Sequence, residues 1–344
     1  MATARSIVVL LTALVAVQAG AATHVVDVNG GYDFVALVPA VEAAASGDTI
    51  VVHPGTYSGA DNTYVNFGPK NLVVRSSDGP LSTIIDGGGT SKAFTLLSAV
   101  TDTTTRIEGF TFTHCWARGA EEDGASALYC LSSAPIVEDC IFVENEGNFA
   151  GAVNFLYGSG IMRSCAFIGN DAVAGGALHS SYSSPVISHC TFIGNSATAS
   201  GGAFRAFSGA PVLRNCTFAQ NATANGGGCL QFDGYGAAGT VERCIIAFST
   251  EGRAVFGTGV TTANTIVYQN AWGDSLQGTH YDNHFGDPRF CGLAGGDLTL
   301  CANSWGLAAN NTWGVDVGSQ PQGCPPCDAP VTGASWGSIK ALYR

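Results

Sequence analysis

The stretch Cys140-Ile-Phe-Val-Glu-Asn145 returns as Cys165-Ala-Phe-Ile-Gly-Asn170, Cys190-Thr-Phe-Ile-Gly-Asn195 and Cys216-Thr-Phe-Ala-Gln-Asn221, and in weakened form as Cys244-Ile-Ile-Ala-Phe-Ser249. The cysteines are 25, 25, 26 and 28 residues apart. A second frame keeps the period: Ala127-Leu128, Ala152-Val153, Ala177-Leu178, Ala203-Phe204, Cys229-Leu230 and Ala254-Val255. No helical i, i+3, i+4 pattern runs inside the unit. Its segments alternate with period two, are rich in Val, Ile, Thr and Phe, and are punctuated by Gly, Asn, Ser and Pro. Short strands and turns repeated in register make one coil of a parallel β-helix, with ~4.8 Å between coils. About ten coils of this length fit between Thr23 and Phe290.

Each repeat position then acquires a role. Cys and Phe two residues apart share a strand face. They predict inward stacks of Cys140, Cys165, Cys190, Cys216 and Cys244, and of Phe142, Phe167, Phe192 and Phe218, with Ile246 continuing. Asn145, Asn170, Asn195 and Asn221 close the segment. Asn tolerates the left-handed backbone of a sharp corner, and its amide can bond the same amide one coil away, so an Asn ladder is expected. Ser249 interrupts it and Asn270 is the candidate to resume it. A row ahead of the cysteines, Glu138, Arg163, Ser188, Arg214 and Glu242, places opposite charges on neighbouring coils. Such exposed pairs are each worth less than about 1 kcal/mol and support register rather than chemistry.

These residues resemble the right-handed parallel β-helix repeat proteins of the pectin-lyase-like superfamily, over most of the chain. The segment Val41-Glu-Ala-Ala-Ala-Ser-Gly-Asp48-Thr-Ile-Val-Val-His-Pro54-Gly-Thr-Tyr57, followed by Leu72-Val-Val-Arg-Ser and Thr83-Ile-Ile-Asp-Gly-Gly88, adds to the resemblance. It implies a short N-terminal capping helix, a first strand and a Pro-Gly-Thr-Tyr turn. Phe34 to Ala45, Ala/Val-rich without Gly, fits that helix, which would cover bare strand edges and core. The expected fold is thus all-β, a single-stranded solenoid with a short N-terminal capping helix. Residues 1–22 read as a signal peptide: Arg5, the apolar stretch Ile7 to Val17, and small residues Ala19-Gly20-Ala21 at a cleavage site. Residues 23–290 form the β-helix, 291–320 irregular closing coils, and 321–344 a Pro-rich linker and tail.

Lys+Arg total 14 against Asp+Glu 26, a net charge of −12 with no basic run, so nucleic acid and anionic membrane surfaces are poor partners. No later segment is long and apolar enough to span a bilayer. The expectation is an exported or cell-surface monomer without a transmembrane segment, whose partners are polysaccharide or cell-envelope components.

Twelve cysteines in an exported protein raise disulfides. In-register neighbours lie ~4.8 Å apart with parallel Cα–Cβ vectors, wider than the Cβ spacing of a disulfide, so the ladder cysteines read as buried thiols. The disulfide candidates are Cys291, Cys301, Cys324 and Cys327. Cys291–Cys301 would close a short loop. Cys324-Pro-Pro-Cys327 reads as a structural bridge, with a redox pair or half a zinc site as alternatives.

The superfamily includes lyases that use Ca²⁺-binding aspartates with an Arg or Lys base, hydrolases, esterases and non-catalytic surface proteins. The row beside the Ala frame, Tyr129, Asn154, His179, Arg205 and Gln231, holds no carboxylate, whereas glycosidic chemistry needs a pair ~5–9.5 Å apart. This row reads as a solvated strand face. Its sharper alternative is a sugar-binding surface of Tyr129, Tyr157, His179, Tyr182 and Arg205. Glu121, Glu122 and Asp123, with Glu144, Glu146 and Asp171 on following coils, converge on one corner and suit Ca²⁺. The two functions in view are a non-catalytic carbohydrate-interacting β-helix, and a polysaccharide lyase or hydrolase with Arg118 or Arg163 as base. Asn215, Asn221 and Asn310 match glycosylation sequons.

Overall fold

The computed structural model describes residues 20–97, 104–117, 124, 127–225 and 227–327. The chain winds as a right-handed parallel β-helix, each coil laying strands on up to four sheets. In one coil these strands are Ile136–Glu138, Ile141–Val143, Glu146–Gly147 and Val153–Leu156, placed on sheets 1, 2, 3 and 4 in that order. The four sheets hold 11, 9, 5 and 8 strands. Sheet 2 pairs Phe112, Phe142, Phe167, Phe192 and Phe218 directly across coils, then Ile246 and Val267. Their rings stack at centroid separations of 5.0, 4.9, 4.6 and 4.6 Å, one rung more than the repeat alone predicts.

Left-handed residues mark three corners of the coil. Asp139, Ser164, His189 and Asn215 sit between sheets 1 and 2, and Glu144, Gly169, Gly194 and Gln220 follow sheet 2. Ser132, Tyr157, Tyr182 and Ser208 sit between sheets 4 and 1. The ladder asparagines are therefore not the left-handed residues; each follows one. The bend at the preceding residue turns the Asn side chain inward along the rod axis. Asn145 Nδ2 donates to Asn170 Oδ1, Asn170 to Asn195 and Asn195 to Asn221, each at 2.9 Å. Each amide also donates to a carbonyl of the coil before it, Asn195 to Phe167 at 3.0 Å. Ser249 interrupts the side-chain chain, and Asn270 accepts its N–H at 3.2 Å.

All five ladder cysteines are free and buried, as are Cys115, Cys130 and Cys229. Each ladder thiol donates to the carbonyl two residues earlier, Cys190 to Ser188 at 3.3 Å. Burial pushes Cys140, Cys165, Cys190 and Cys216 well above the ordinary thiol range, so they stay protonated. Outside, Glu138 lies between Arg106 and Arg163 and pairs with both, while Arg214 Nε meets Glu242 at 3.1 Å.

The helix Leu37–Ala43 covers the N-terminal end, its first N–H capped by Asn62 Oδ1 at 3.0 Å. Beside it Asp48 accepts from Ala22 N at 2.7 Å, His24 Nε2 at 2.9 Å and Ala45 N at 2.8 Å. The His24 bond first, then the two backbone N–H groups, lower its pKa to about 2. A carboxyl depressed on folding contributes stability that is complete above its unfolded pKa, about 4, and lost as pH falls through the folded value. We expect the denaturant midpoint to drop between pH 4 and 2, with a shallower drop in Asp48→Asn. Parallel slopes for the two proteins would remove Asp48 from this role.

After the last strand of sheet 1, Thr279–Tyr281, the chain folds back. Phe290–Gly292 pairs antiparallel with Asp297–Cys301, which pairs in parallel with Gln322–Cys324. The disulfides are Cys291–Cys324 and Cys301–Cys327, correcting the expected Cys291–Cys301 and Cys324–Cys327 bridges. Strand pairing explains the exchange: Gln322–Cys324 lies alongside Asp297–Cys301 and brings both Pro-flanked cysteines to the older strands. Gln322–Cys324 is therefore a strand of this small sheet and Cys327 is bridged to Cys301, while the rest of the expected linker and tail, residues 328–344, lies outside the described residues. Phe290, Leu293, Leu298, Leu300 and Val317 pack on the outer face of sheet 2 against Ile193, Ala219, Ile245, Ala247 and Ile266.

Candidate functional site

Tyr129, Asn154, His179, Arg205 and Gln231 occupy one row across sheet 4, as the Ala frame requires. The row is not a solvated face: Tyr129, Asn154, His179 and Gln231 are buried. The links from sheet 3 to sheet 4 double back over it. Gly175 and Gly201 take positive φ there, and a Cβ on either would lie 3.1 Å from His179 Cβ or 2.8 Å from Arg205 Cβ. The Gly-Gly pairs preceding Ala177 and Ala203 were the sequence signal for this cover. Phe149 adds a ring over His179, with centroids 5.7 Å apart.

His179 Nδ1 faces Asn154 Oδ1 at 3.1 Å. Burial, and then the charge of Arg205, push its pKa down to about 3. It is neutral at physiological pH and enclosed, so neither His179 nor Tyr129 meets solvent as the sugar-surface reading required. Arg205 grips Asp233 with both ends, Nε at 3.2 Å and Nη2 at 3.1 Å, and Gln231 Nε2 donates to the same carboxylate at 2.9 Å. Among the described residues, Asp233 is the one carboxylate on the strands of sheet 4.

The two remaining members of the set are outside. Tyr157 and Tyr182 occupy the left-handed corner between sheets 4 and 1, at φ +56° and +50°. They are 60% and 54% exposed and stack on each other, with centroids 5.3 Å apart and planes 18° apart. Phe207 sets its ring edge-on to Tyr182 at 5.7 Å, and the Arg205 guanidinium lies 5.4 Å from the Phe207 centroid. The surface thus presents a strip that runs Tyr157, Tyr182, Phe207, Arg205, Asp233.

Glu121, Glu122, Asp123 and Arg118 lie outside the described residues. Glu146 aligns with Trp116 and Asp171, and Asp171 accepts from Ser196 Oγ at 3.0 Å. Glu144 is at the neighbouring corner and faces His114 Nε2 at 3.6 Å, whose Nδ1 faces Asp86 at 3.4 Å. Among the described residues no three Asp, Glu or His side chains bring ligand atoms within 4.8 Å of one another. The sequon asparagines also have engaged amides: Asn215 donates to Asp316 O at 2.9 Å, Asn221 to Phe192 O at 3.0 Å, and Asn310 to Ala302 O and Ser304 O, each at 2.8 Å.

A cleft that the repeat did not announce lies at the C-terminal fold-back, lined by His284, Asp287, Arg289, Asn303, Trp305 and Asn310. These residues fall where the period has ended, and distant turns bring them together.

Among the described residues, no helix is long and apolar enough to cross a membrane. No protein-family model matches the chain, and no curated protein matches it. Among solved structures it is similar to a pectin methylesterase from carrot, with 12% sequence identity, a TM-score of 0.45, and coverage of 75% of this chain and 82% of that one.

Proposed function

We propose that this chain is an exported, non-catalytic β-helix that holds carbohydrate on the Tyr157–Tyr182–Phe207 strip. The observation that carries the reading is the exposed Tyr157–Tyr182 stack. The same corner accepts Ser132 and Ser208 on flanking coils, so the fold does not need tyrosine there. Bulky residues take left-handed backbone at a cost, which sets these two apart from the serines. Rings one coil apart repeat at the spacing of the rod and form a flat platform suited to the apolar face of a sugar. Asp233 is engaged by Arg205 and Gln231, and the strip has no second carboxylate to pair with it, which argues against hydrolysis there. The net charge of −12 and a neutralised Arg205 favour a neutral glycan over an acidic one. Two disulfides among residues 291–327 support folding in an oxidising compartment.

The test is affinity electrophoresis in gels containing neutral or acidic polysaccharides. Retardation is expected in a neutral glucan or mannan gel and not in polygalacturonate. Each ring is worth roughly 0.5–1.5 kcal/mol. Replacing both tyrosines by Ala should then weaken binding about fivefold or more, since tenfold is 1.4 kcal/mol, with little change in melting. Equal retardation of the double variant would remove the strip from binding. Release of unsaturated products from an acidic polysaccharide, read by ultraviolet absorbance, would overturn the non-catalytic assignment.

A further inference from the structure

The C-terminal cleft encloses about 290 Å³, the lower end of the ~300–1,000 Å³ range of small-molecule sites. One wall is aromatic: His284 lies flat on Trp305, with centroids 4.5 Å apart and planes 12° apart, and Trp313 buttresses Trp305 edge-on at 6.0 Å. The polar wall is built from the backbone outward. Asp287 Oδ1 accepts the Arg289 N–H at 2.7 Å and fixes that turn. Asn303 brackets Cys327, donating to its carbonyl and accepting its N–H, each at 3.0 Å, so the Cys301–Cys327 bridge closes that side.

Arg289 is the cation of the lining. Its one side-chain hydrogen bond is Nη1 to Asn303 O at 3.4 Å. Arg106, Arg163, Arg205 and Arg214 meet carboxylates, whereas among the described residues Arg289, like Arg75 on sheet 1 and the half-buried Arg253 on sheet 4, meets none, and of these three it is Arg289 that lines the cleft. A half-buried guanidinium that lines a cleft and meets no carboxylate there is suited to bind one, because its planar fork matches a carboxylate in two parallel bonds. Burial lowers the pKa of His284, so the ring is neutral and the cleft's positive charge is that of Arg289. Asp287 places one negative charge on the same lining, which disfavours multiply charged anions such as phosphate. Asn310, held by its two amide donations, keeps Oδ1 as an acceptor for a hydroxyl.

We propose that this cleft binds a small hydroxy-carboxylate of single-sugar size: carboxylate on Arg289, a hydroxyl on Asn310, and carbon skeleton along the Trp305–His284 wall. The site is separate from the tyrosine strip and stands whether or not that strip binds glycan. The probe is gluconate, followed by saturation-transfer NMR on the full chain. Sorbitol, which has the hydroxyls without the charge, and acetate, which has the charge without the hydroxyls, are the controls. Gluconate should show transfer at millimolar concentration, sorbitol should bind at least tenfold more weakly, and acetate should compete. Arg289→Gln should weaken gluconate at least tenfold, and Arg289→Lys should restore only part of it. Equal binding of sorbitol and gluconate, absence of transfer from gluconate, or full affinity in a folded Arg289→Gln variant would each overturn the assignment. If that variant does not fold, the sorbitol and acetate controls on the unaltered protein decide it.

Discussion

Phe192→Ala is expected to lower the free energy of unfolding by about 3–5 kcal/mol, the range for emptying a buried aromatic site. Phe192 is fully buried, and its ring is stacked at 4.6 Å on Phe167 and at 4.6 Å on Phe218. Removing it deletes both stacks and leaves a gap that the flanking rungs cannot close, because strand pairing holds the coils at fixed spacing. In a solenoid each coil contacts only its neighbours, so the loss falls at one point of the rod. Denaturant unfolding followed by circular dichroism should show a lower midpoint, and a split transition if the two halves then unfold separately. Phe192→Leu, which keeps most of the volume, should lose less than half as much. A midpoint unchanged by Phe192→Ala would mean that the phenylalanine column is not the core.

The column was legible in the sequence because its cause is periodic. A residue that recurs every 25 or 26 positions meets itself one coil on, so Phe142, Phe167, Phe192 and Phe218 declare both strand and face. The Asn ladder and the Glu138–Arg163 and Arg214–Glu242 pairs follow from the same registry. Burial of the sheet 4 row did not follow, because alternation along a strand tells inside from outside only when nothing covers the outside. The cover depends on the path of the links through Gly175 and Gly201, which the strand pattern does not encode. The position of the left-handed corner residue was off by one for a related reason: Asn is suited to both the bend and the ladder, and here it serves the ladder while Glu144, Gly169, Gly194 and Gln220 take the bend. The disulfide partners and the cleft around Arg289 arise where the repeat stops. There Gln322–Cys324 pairs with Asp297–Cys301, and no period announces that meeting.

Asn195→Ala should destabilise the rod measurably, although it removes little apolar surface. The Asn195 side chain makes four bonds inside the rod. Nδ2 donates to Asn221 Oδ1 at 2.9 Å and to Phe167 O at 3.0 Å. Oδ1 accepts from Asn170 N at 3.0 Å and from Asn170 Nδ2 at 2.9 Å. Truncation leaves the buried Asn170 N–H without a partner, at a cost of about 1–3 kcal/mol, while the Phe167 carbonyl loses one of two bonds because the parallel ladder still gives it the Ile193 N–H. Asn221 Oδ1 keeps the Asn195 N–H at 3.0 Å, and Asn170 Nδ2 keeps Phe142 O at 3.0 Å, so those two groups are not orphaned. The expected loss is therefore about 1–3 kcal/mol, measured by denaturant midpoint. Asn195→Asp has the same shape but two acceptor oxygens, so it sets acceptor against acceptor toward Asn221 and Phe167 and should be no better tolerated than Ala at pH 7. Asn270→Ala is the internal control, because Ser249 has already broken the side-chain chain there. Its Nδ2 donates to Ile246 O at 3.1 Å, Asp274 Oδ1 at 2.8 Å and Tyr268 O at 3.4 Å, and its Oδ1 accepts the Ser249 N–H at 3.2 Å, so its truncation breaks no amide–amide bond and its loss should be smaller. Equal costs at positions 195 and 270 would mean that each amide acts alone and that the unbroken ladder adds nothing.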